Sequence, residues 1–347
     1  MRAYRACLAL LLAAPLLIPA LASAQTDPLA AEWAIYRDRF ITDDGRVRDT
    51  GNKEVSHTEG QGCAMLFAEA FDDRATFDRV WHWTAEKLRQ PDSALFAWRW
   101  DPGNQANPVS DTNNASDGDI LIAWSLSLAA RRWHDRDYDR EAHRILAAIR
   151  ERLVNRVDGH LVLMPGIDGF KAQNGAVIVN PSYYIYPALR EFSRADPSPI
   201  WARLRRDGLG LLSKAQFGQW GLTSDWVTVT DAGGVSPAAN LPPRFGFDAI
   251  RIPLYLIWGG EATHQRLAAM LRFWDGFTDK PIPAWVDVTN GTLAPFPAPA
   301  GFQAIVQLAR AGHAANPPPL PEIGDKDDYY SASLIMLAGL ARHAIGQ

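Results

Sequence analysis

The sequence predicts an all-α fold arranged as a double-layered α/α barrel, in which inner helices are wrapped by outer ones. Apolar residues recur at helical spacing, as in the set Phe77, Val80, Trp81, Thr84 and Leu88, whereas the alternation typical of strands is weak. Strongly apolar helical segments also alternate along the chain with more polar ones. Such alternation is typical of buried helices paired with helices of an outer layer.

Eleven helices are expected from this periodicity. They are placed near residues 28–41, 59–72, 75–90, 115–134, 138–154, 181–194, 199–216, 248–259, 262–275, 300–312 and 327–345. The segment at 138–154 is amphipathic and heavily charged, which predicts an outer helix. The segments that begin near Glu59, Asp117, Pro181 and Asp248 are apolar nearly all round, which predicts inner helices.

The connecting segments are loops rich in Gly, Pro, Asn and Asp, such as 101–114 and 230–244. None of them has the length or simple composition of a linker between domains. A single domain over residues 25–347 is therefore expected, preceded by a leader over residues 1–24.

Composition and charge narrow the class of protein. The 347 residues are 47% hydrophobic and 21% charged, which excludes disordered, collagenous and coiled-coil chains. The formal net charge is -4, and no run of basic residues is present. Nucleic acid is therefore excluded as a partner.

The first 24 residues have the pattern of a secretory signal peptide. Arg2 and Arg5 precede an apolar run at 6–21, and the small residues 22–24 form a cleavage site before Gln25. A membrane anchor is the alternative, but the run is short for about 20 spanning residues. We expect a periplasmic or secreted product with no membrane insertion after cleavage.

Only two cysteines are present, Cys7 in the leader and Cys63 in the predicted domain. Cleavage would leave Cys63 alone, so no internal disulfide is expected. Its proximity in sequence to His57 leaves a thiol nucleophile as one interpretation. The apolar surroundings at 63–67 favour the other, a small buried side chain.

Three carboxylates stand at the start of predicted inner helices: Glu59, Asp117 and Asp248. If those helices are the inner ones, their N-termini meet at one rim of the barrel and bring the three acids together. The alternative is structural, because acids at helix starts also cap the helix and interact with its dipole. The residues alone leave both interpretations open.

Aromatic residues in or beside loops favour a carbohydrate site. The chain has 13 Trp, and Trp98, Trp100 and Trp226 are among those outside the periodic core positions. A flat apolar ring with a polar edge suits stacking on a sugar. Paired carboxylates with such rings are what glycoside hydrolysis requires.

Other chemistries lack their motifs. The sequence has no HExxH, no pair of CxxC motifs and no complete EF-hand loop, and so predicts no metal. Gly-x-Ser-x-Gly and Walker-type loops are also absent. No cofactor is expected, because two carboxylates suffice for hydrolysis of a glycosidic bond.

The sequence resembles glycoside hydrolase family 8 over nearly the whole predicted domain. The stretch 115–126, Ala-Ser-Asp-Gly-Asp-Ile-Leu-Ile-Ala-Trp-Ser-Leu, resembles the family signature, from which Ser127 departs slightly. Further matches are Thr58-Glu59-Gly60-Gln61, Asn180-Pro181-Ser182-Tyr183, Ser224-Asp225-Trp226, Phe247-Asp248-Ala249-Ile250-Arg251-Ile252-Pro253 and Asp328-Tyr329-Tyr330. Cys63 departs from the family, in which Tyr is frequent at this position, and this difference could alter the wall near Glu59.

The resemblance implies an (α/α)6 barrel and an inverting endo-attack on β-1,4-glucan. By motif, it makes Glu59 the general acid and Asp248 the base that activates water. It assigns Asp117 to sugar binding near the cleavage point, with Tyr183 and Arg251 as supporting residues. The layout is that of family members associated with bacterial cellulose synthesis, so the cellulose synthase complex is a candidate partner.

The position of Glu59 raises a physical difficulty. A helix N-terminus favours the ionised carboxylate, whereas an acid catalyst must hold its proton. We expect burial or repulsion by Asp117 and Asp248 to offset this effect.

The sequence leaves two classes of function open. The first is an endo-β-1,4-glucanase acting on cellulose. The second is a glucan-binding accessory protein without turnover. Within the enzyme class, xylan, chitosan and mixed-linkage glucan are rival substrates.

Overall fold

A computed structural model describes residues 28–172, 174–312 and 317–346. The predicted leader at 1–24 lies outside the described residues. In this part of the chain the structure has eleven α-helices and nine strands of two to four residues. All eleven expected helices are present, whereas the short strands were not expected.

The helices are α1 (Pro28–Phe40), α2 (Thr58–Ala70), α3 (Arg74–Lys87), α4 (Ser116–Trp133), α5 (Arg136–Ala148), α6 (Tyr186–Ala195), α7 (Pro199–Lys214), α8 (Arg251–Trp258), α9 (His264–Asp275), α10 (Ala300–Ala311) and α11 (Tyr329–Ile345). The strands are β1 (Ser56–His57), β2 (Arg99–Trp100), β3 (Val154–Val157), β4 (His160–Leu163), β5 (Val177–Val179), β6 (Val227–Val229), β7 (Val235–Pro237), β8 (Arg244–Phe245) and β9 (Val286–Asp287). The strands pair antiparallel, in three two-stranded ladders and one three-stranded sheet, β5-β6-β7.

The helices form two layers. An inner ring runs α2, α4, α6, α8, α10 and α11, each in contact with the next, and α11 returns to α2. In the outer layer α1 packs on α11, α3 on α2, α5 on α4, α7 on α6 and α9 on α10. The expected double-layered α/α barrel, and with it the (α/α)6 class, is confirmed.

Close packing of α2 against α4 depends on two glycines. A Cβ on Gly118 would lie 2.0 Å from the Thr58 Oγ1, and a Cβ on Gly62 would lie 2.5 Å from the Leu121 Cβ. Because neither glycine has a side chain, the two helix backbones approach each other directly. The first turns of α2 and α4 therefore lie side by side at one end of the ring.

The two ends of the described chain pack against each other, with α1 of the outer layer on α11 of the inner ring. Helix α1 buries Trp33, Tyr36 and Phe40 at helical spacing. The Tyr36 hydroxyl lies 3.1 Å from the Ser333 Oγ of α11, across 297 residues of sequence. Among the described helices, none combines the length and apolarity needed to span a membrane.

Two predicted helix starts were wrong. Residues 181–183 form one 3-10 turn, and α6 begins only at Tyr186. That helix is also not apolar all round, because Arg190 and Arg194 are exposed. Residues 247–250 form a turn, so Asp248 precedes α8 rather than beginning it.

Candidate active site

The three predicted carboxylates meet at one end of the inner ring. Glu59 lies in the first turn of α2 and Asp117 in the first turn of α4. Asp248 lies in the turn that leads into α8, whose first residue is Arg251. The Arg251 guanidinium lies within ion-pair distance of all three acids, so the expected convergence is observed.

Arg251 occupies the centre of this group. Its side chain is only 5% exposed, and its Nη1 is in direct contact with the Glu59 Oε1. Its Nη2 lies 2.7 Å from the Asp248 Oδ1 and 3.7 Å from the Asp117 Oδ2. A planar guanidinium with several fixed N–H donors suits this arrangement, because different nitrogens bind different carboxylates.

A cavity of about 280 Å³ opens beside this group. Glu59, Asp248 and Arg251 line it, together with Tyr330 and His57. The cavity is thus bounded by two carboxyl groups that the sequence analysis singled out and by the arginine between them.

A histidine–carboxylate pair adjoins Glu59. The His57 Nε2 lies 3.1 Å from the Asp49 Oδ2, and its Nδ1 lies 4.0 Å from the Glu59 Oε2. His57 immediately precedes α2 and pairs with Arg99 between β1 and β2. The sequence analysis gave neither His57 nor Asp49 a role at the site.

Burial shifts the acid–base properties of the carboxyl groups. It raises the pKa of Asp117 to about 7, with repulsion by Asp248 as the second cause. It raises the pKa of Asp248 to about 6, and the side chains of Asn180 and Trp226 partly offset this rise. Asp248 is therefore the first of the two to ionise, and at neutral pH it is mainly the carboxylate.

A fourth acid supports the turn that carries Asp248. The Asp225 Oδ1 accepts hydrogen bonds from the backbone N–H groups of Gly246, at 3.0 Å, and Ala249, at 2.7 Å. Burial, followed by repulsion from Asp248, raises the pKa of Asp225 to about 8. Asp225 thus holds the backbone on both sides of Asp248.

Neighbouring charges act on the Glu59 carboxyl group in opposite directions. The direct contact with Arg251 favours the ionised carboxylate, in the same direction as the helix N-terminus. Opposing this are the nearby Asp117 and Asp248, which share the same cation. The three acids therefore compete for one positive charge.

Aromatic residues surround the base side of the site. The Trp226 ring stacks on Phe170 with a centroid distance of 5.8 Å and an angle of 2°. Tyr183 meets Trp226 edge-on at 5.9 Å, and the Arg251 guanidinium lies 5.9 Å from the Tyr183 ring. One face of Trp226 is therefore already covered by protein.

Trp98 and Trp100 lie on the acid side. The Trp98 carbonyl accepts a hydrogen bond from the Thr58 N–H at 3.0 Å, next to Glu59. Trp100 pairs with Ser56 between β2 and β1. Both indoles are half-buried, and the Arg46 guanidinium lies 5.2 Å from the Trp100 ring.

Cys63 is buried, and burial raises the pKa of its thiol. The thiol therefore stays protonated and unreactive, as expected for a small core side chain and not for a nucleophile.

In the described ranges, no group of three or more His, Cys, Asp or Glu side chains is arranged to hold a metal ion.

Sequence reasoning missed several residues at the centre. Asn180, Ser182, Asp225 and Tyr330 all lie inside motifs that the sequence analysis quoted, but it gave them no role. The Tyr330 hydroxyl donates to the Phe247 carbonyl, beside Asp248. Their position inside the motifs was the available signal; their contacts depend on which loops meet in space.

Carboxyl groups that line one open cavity of a double-layered helical barrel can supply the acid and the base of glycoside hydrolysis. The sequence model described as Glycosyl hydrolases family 8 matches residues 3–344. The chain belongs to this family, whose members hydrolyse with inversion.

Individual relatives agree with this assignment. The chain is 40% identical over 324 residues to a probable endoglucanase of Novacetimonas hansenii, covering 93% of each protein. It is 41% identical over 277 residues to an endoglucanase of Cellulomonas uda, covering 80% of this chain and 76% of that one. The solved structure of the endo-β-1,4-glucanase CMCax from Acetobacter xylinum matches with a TM-score of 0.87 and 40% identity, over 92% of this chain and 99% of that one.

Proposed function

We propose that this glycoside hydrolase is an endo-β-1,4-glucanase that cleaves internal bonds of cellulose with inversion. The relatives named as endoglucanases, at about 40% identity over most of the chain, support this substrate class. In the proposed mechanism Glu59 is the general acid and Asp248 is the general base.

One observation carries the proposal: Glu59 and Asp248 bind different nitrogens of the same guanidinium. The shared cation places both carboxyl groups, which come from distant parts of the sequence, on the wall of one cavity. Inverting enzymes need carboxyl groups about 6.5–9.5 Å apart, because a water molecule must fit between the base and the sugar. Inversion is proposed for this pair because it is a property of the family.

The roles follow from the chemistry of the two groups. Glu59 would donate its proton to the leaving glycosidic oxygen, while Asp248 would take a proton from the attacking water. With a pKa of about 6, Asp248 is ionised at neutral pH and able to act as a base. The mechanism needs no cofactor.

Asp117 is proposed to bind the sugar at the cleavage point. Its pKa of about 7 makes it partly protonated near neutrality, so it can donate a hydrogen bond to a sugar hydroxyl as well as accept one. Arg251 orients the carboxyl groups, and Tyr183 packs behind them. Trp98, Trp100 and Trp226 are proposed as contacts for further sugar rings.

The proposed setting is export, with a leader at 1–24 and one catalytic domain at 25–347. The product would act in the periplasm or outside the cell during cellulose biosynthesis, with the cellulose synthase complex as a proposed partner. N-terminal sequencing of the exported protein tests the leader; a mature chain that begins at Gln25 is expected.

Reducing-end release from carboxymethyl cellulose, followed together with viscosity, tests the activity. We expect a rapid fall in viscosity with the wild type and none with Glu59→Gln or Asp248→Asn. Glu86→Gln is a matched control, because Glu86 is an exposed residue of α3. Binding without release by the wild type would favour the accessory protein, and absence of binding would direct the assay to xylan, chitosan and mixed-linkage glucan.

A further inference from the structure

A histidine held by a carboxylate lies beside the proposed acid. The His57 Nε2 lies 3.1 Å from the Asp49 Oδ2, and the two side chains are only 16% and 13% exposed. Because a carboxylate can only accept a hydrogen bond, Nε2 carries the hydrogen of the neutral ring. The Nδ1 of this tautomer has no hydrogen and can only accept. Asp49 therefore determines which nitrogen of the imidazole is the acceptor.

The accepting nitrogen faces Glu59. The His57 Nδ1 lies 4.0 Å from the Glu59 Oε2, while the other carboxyl oxygen, Oε1, contacts the Arg251 guanidinium. A guanidinium has only donors, so a hydrogen on Oε1 would point at a cation that cannot accept it. Protonated Glu59 therefore carries its hydrogen on Oε2, the oxygen next to His57.

The imidazole is restrained, whereas the Glu59 carboxyl group has room to move. The Tyr329 ring packs edge-on against His57 with a centroid distance of 5.3 Å. Both His57 and Glu59 line the cavity of about 280 Å³. A hydrogen bond between them needs only a small rotation of the Glu59 carboxyl group into this space. Contacts between catalytic groups are often this long before substrate binds.

We propose that the His57 Nδ1 accepts a hydrogen bond from the Glu59 Oε2–H in the free enzyme and so keeps the acid protonated until a sugar chain binds. This inference rests on the proposed function and adds a positioning residue that acts through Glu59. A hydrogen bond to the neutral form of a carboxyl group favours that form. It opposes Arg251 and the helix N-terminus, which favour the carboxylate. When the chain binds, the O–H turns from Nδ1 to the glycosidic oxygen.

The pH range of this effect depends on the groups around the pair. Around the imidazole these are Asp49, Tyr329 of α11 and Arg99 on the paired strand β2. Around Glu59 they are Arg251 with Asp117 and Asp248, and the cavity wall adds Asp328 and Tyr330. A histidine ring is largely neutral above about pH 7 and can then accept. Below that pH a protonated ring would donate and favour the carboxylate, so the proposed bond acts on the alkaline side.

His57→Gln separates the two ends of the imidazole. Its amide nitrogen reaches the position of Nε2 and can still donate to Asp49, but nothing replaces the Nδ1 acceptor. We expect the alkaline limb of the kcat/KM profile for cellopentaose to move to lower pH by about half a unit to one unit, the effect of one hydrogen bond. On that limb kcat/KM then falls about 3- to 10-fold. The kcat profile, which reports the enzyme with substrate bound, should move less.

His57→Asn is the matched variant, because it keeps an acceptor near the position of Nδ1 and loses the contact with Asp49. Its alkaline limb should lie closer to that of the wild type, and His82→Gln on the exposed side of α3 is the control. Tm shows that each variant folds. An alkaline limb that His57→Gln leaves in place would overturn the inference, even if KM rises, since His57 would then be a sugar contact. Equal shifts in His57→Gln and His57→Asn would also overturn it.

A leaving group that needs no proton tests whether the effect passes through Glu59. Dinitrophenyl β-cellotrioside releases a weakly basic phenolate, so its cleavage does not depend on the acid. The difference between His57→Gln and the wild type at alkaline pH should be much smaller with this substrate than with cellopentaose. Equal differences with both substrates would show a structural effect and contradict the inference. A wild type without activity on any β-glucan would instead refute the proposed function.

Discussion

Arg251 determines the electrostatics of the site at the scale of single residues. One buried cation contacts Glu59, Asp248 and Asp117, while Asp225 holds the turn of Asp248 from behind. Because fewer positive than negative charges are present, the acids cannot all be ionised without mutual repulsion. Burial and repulsion then determine which of these carboxyl groups keep a proton. A group that keeps its proton can act as an acid, and an ionised group can act as a base.

Replacement of Arg251 tests this central position. Arg251→Lys keeps the charge but has one ammonium in place of two nitrogens that bind different carboxyl groups. We expect kcat on carboxymethyl cellulose to fall by about 10²-fold, a typical cost of lost positioning. Activity close to that of the wild type would show that charge alone suffices.

Asp117→Asn tests the repulsion among the carboxyl groups. Removal of a negative neighbour lowers the pKa of the remaining acids, so both limbs of the kcat profile should move to lower pH. The alkaline limb should move further, because Asp117 with a pKa of about 7 is charged mainly above that pH. A profile identical to that of the wild type would contradict this electrostatic coupling.

The site carboxyl groups and the supporting residues Arg251 and Tyr183 could be predicted from the sequence, but other supporting residues could not. Their position next to predicted helix starts made Glu59, Asp117 and Asp248 candidates, and the family resemblance implied their roles. The buried Asn180 side chain favours the ionised form of Asp248, and Asp225 accepts hydrogen bonds from backbone N–H groups of a distant turn. Such contacts depend on how distant loops meet in the folded protein, and the spacing of residues along the chain does not predict them.

At the scale of elements, the site depends on how closely α2 approaches α4. Glu59 and Asp117 stand in the first turns of these helices. Glycines take the place of larger residues where the backbones meet. The distance between two site carboxyl groups is therefore fixed by helix packing and not by a flexible loop.

Gly118→Ala should force these helices apart. Its Cβ would lie 2.0 Å from the Thr58 Oγ1, so we expect a loss of about 1–3 kcal/mol in the free energy of unfolding and a fall in kcat. Gly210→Ala on α7 is the control, because its Cβ would meet nothing within 4 Å. That change should stabilise the protein by about 0.5–1 kcal/mol. Urea denaturation of both variants measures the difference, and equal effects would contradict the packing argument.

Periodicity predicted the existence of every described helix but misplaced two starts. Pro187 and Pro253 each lie in the first turn of their helix, α6 and α8, where the missing N–H costs nothing. The two prolines therefore indicate the observed starts of α6 and α8. The apolar residues upstream of them extend the helical pattern, which led to predicted starts that are too early. The apolar segment before α8 is instead a turn held by Asp225.

At the scale of the molecule, the buried acids couple catalysis to stability. Burial raises the pKa of Asp117 to about 7 and those of Asp119 and Asp225 to about 8. The folded protein therefore binds protons that the unfolded chain has already released between about pH 4 and pH 8. Stability must fall as pH rises through this window.

We expect Tm to decrease from pH 5 to pH 8, with a loss of at least about 2 kcal/mol in the free energy of unfolding. Carboxyl groups with a lowered pKa, such as Asp73 and Asp207, titrate below this window and do not reverse the trend. Calorimetry over this range measures it, and Asp119→Asn should reduce the slope. A Tm that rises toward pH 8 would contradict the assigned protonation.

The closure of the inner ring by α11 has a consequence for biogenesis. Tyr36 and Ser333 meet across 297 residues, and α11 is the helix that returns to α2. The segment that carries Glu59 therefore lacks its final neighbours until almost the whole polypeptide has been synthesised. Contacts of such long sequence separation form slowly. Because Asp328, Tyr329 and Tyr330 line the cavity beside Glu59, we expect a chain that ends before α11 to lack a complete cleft.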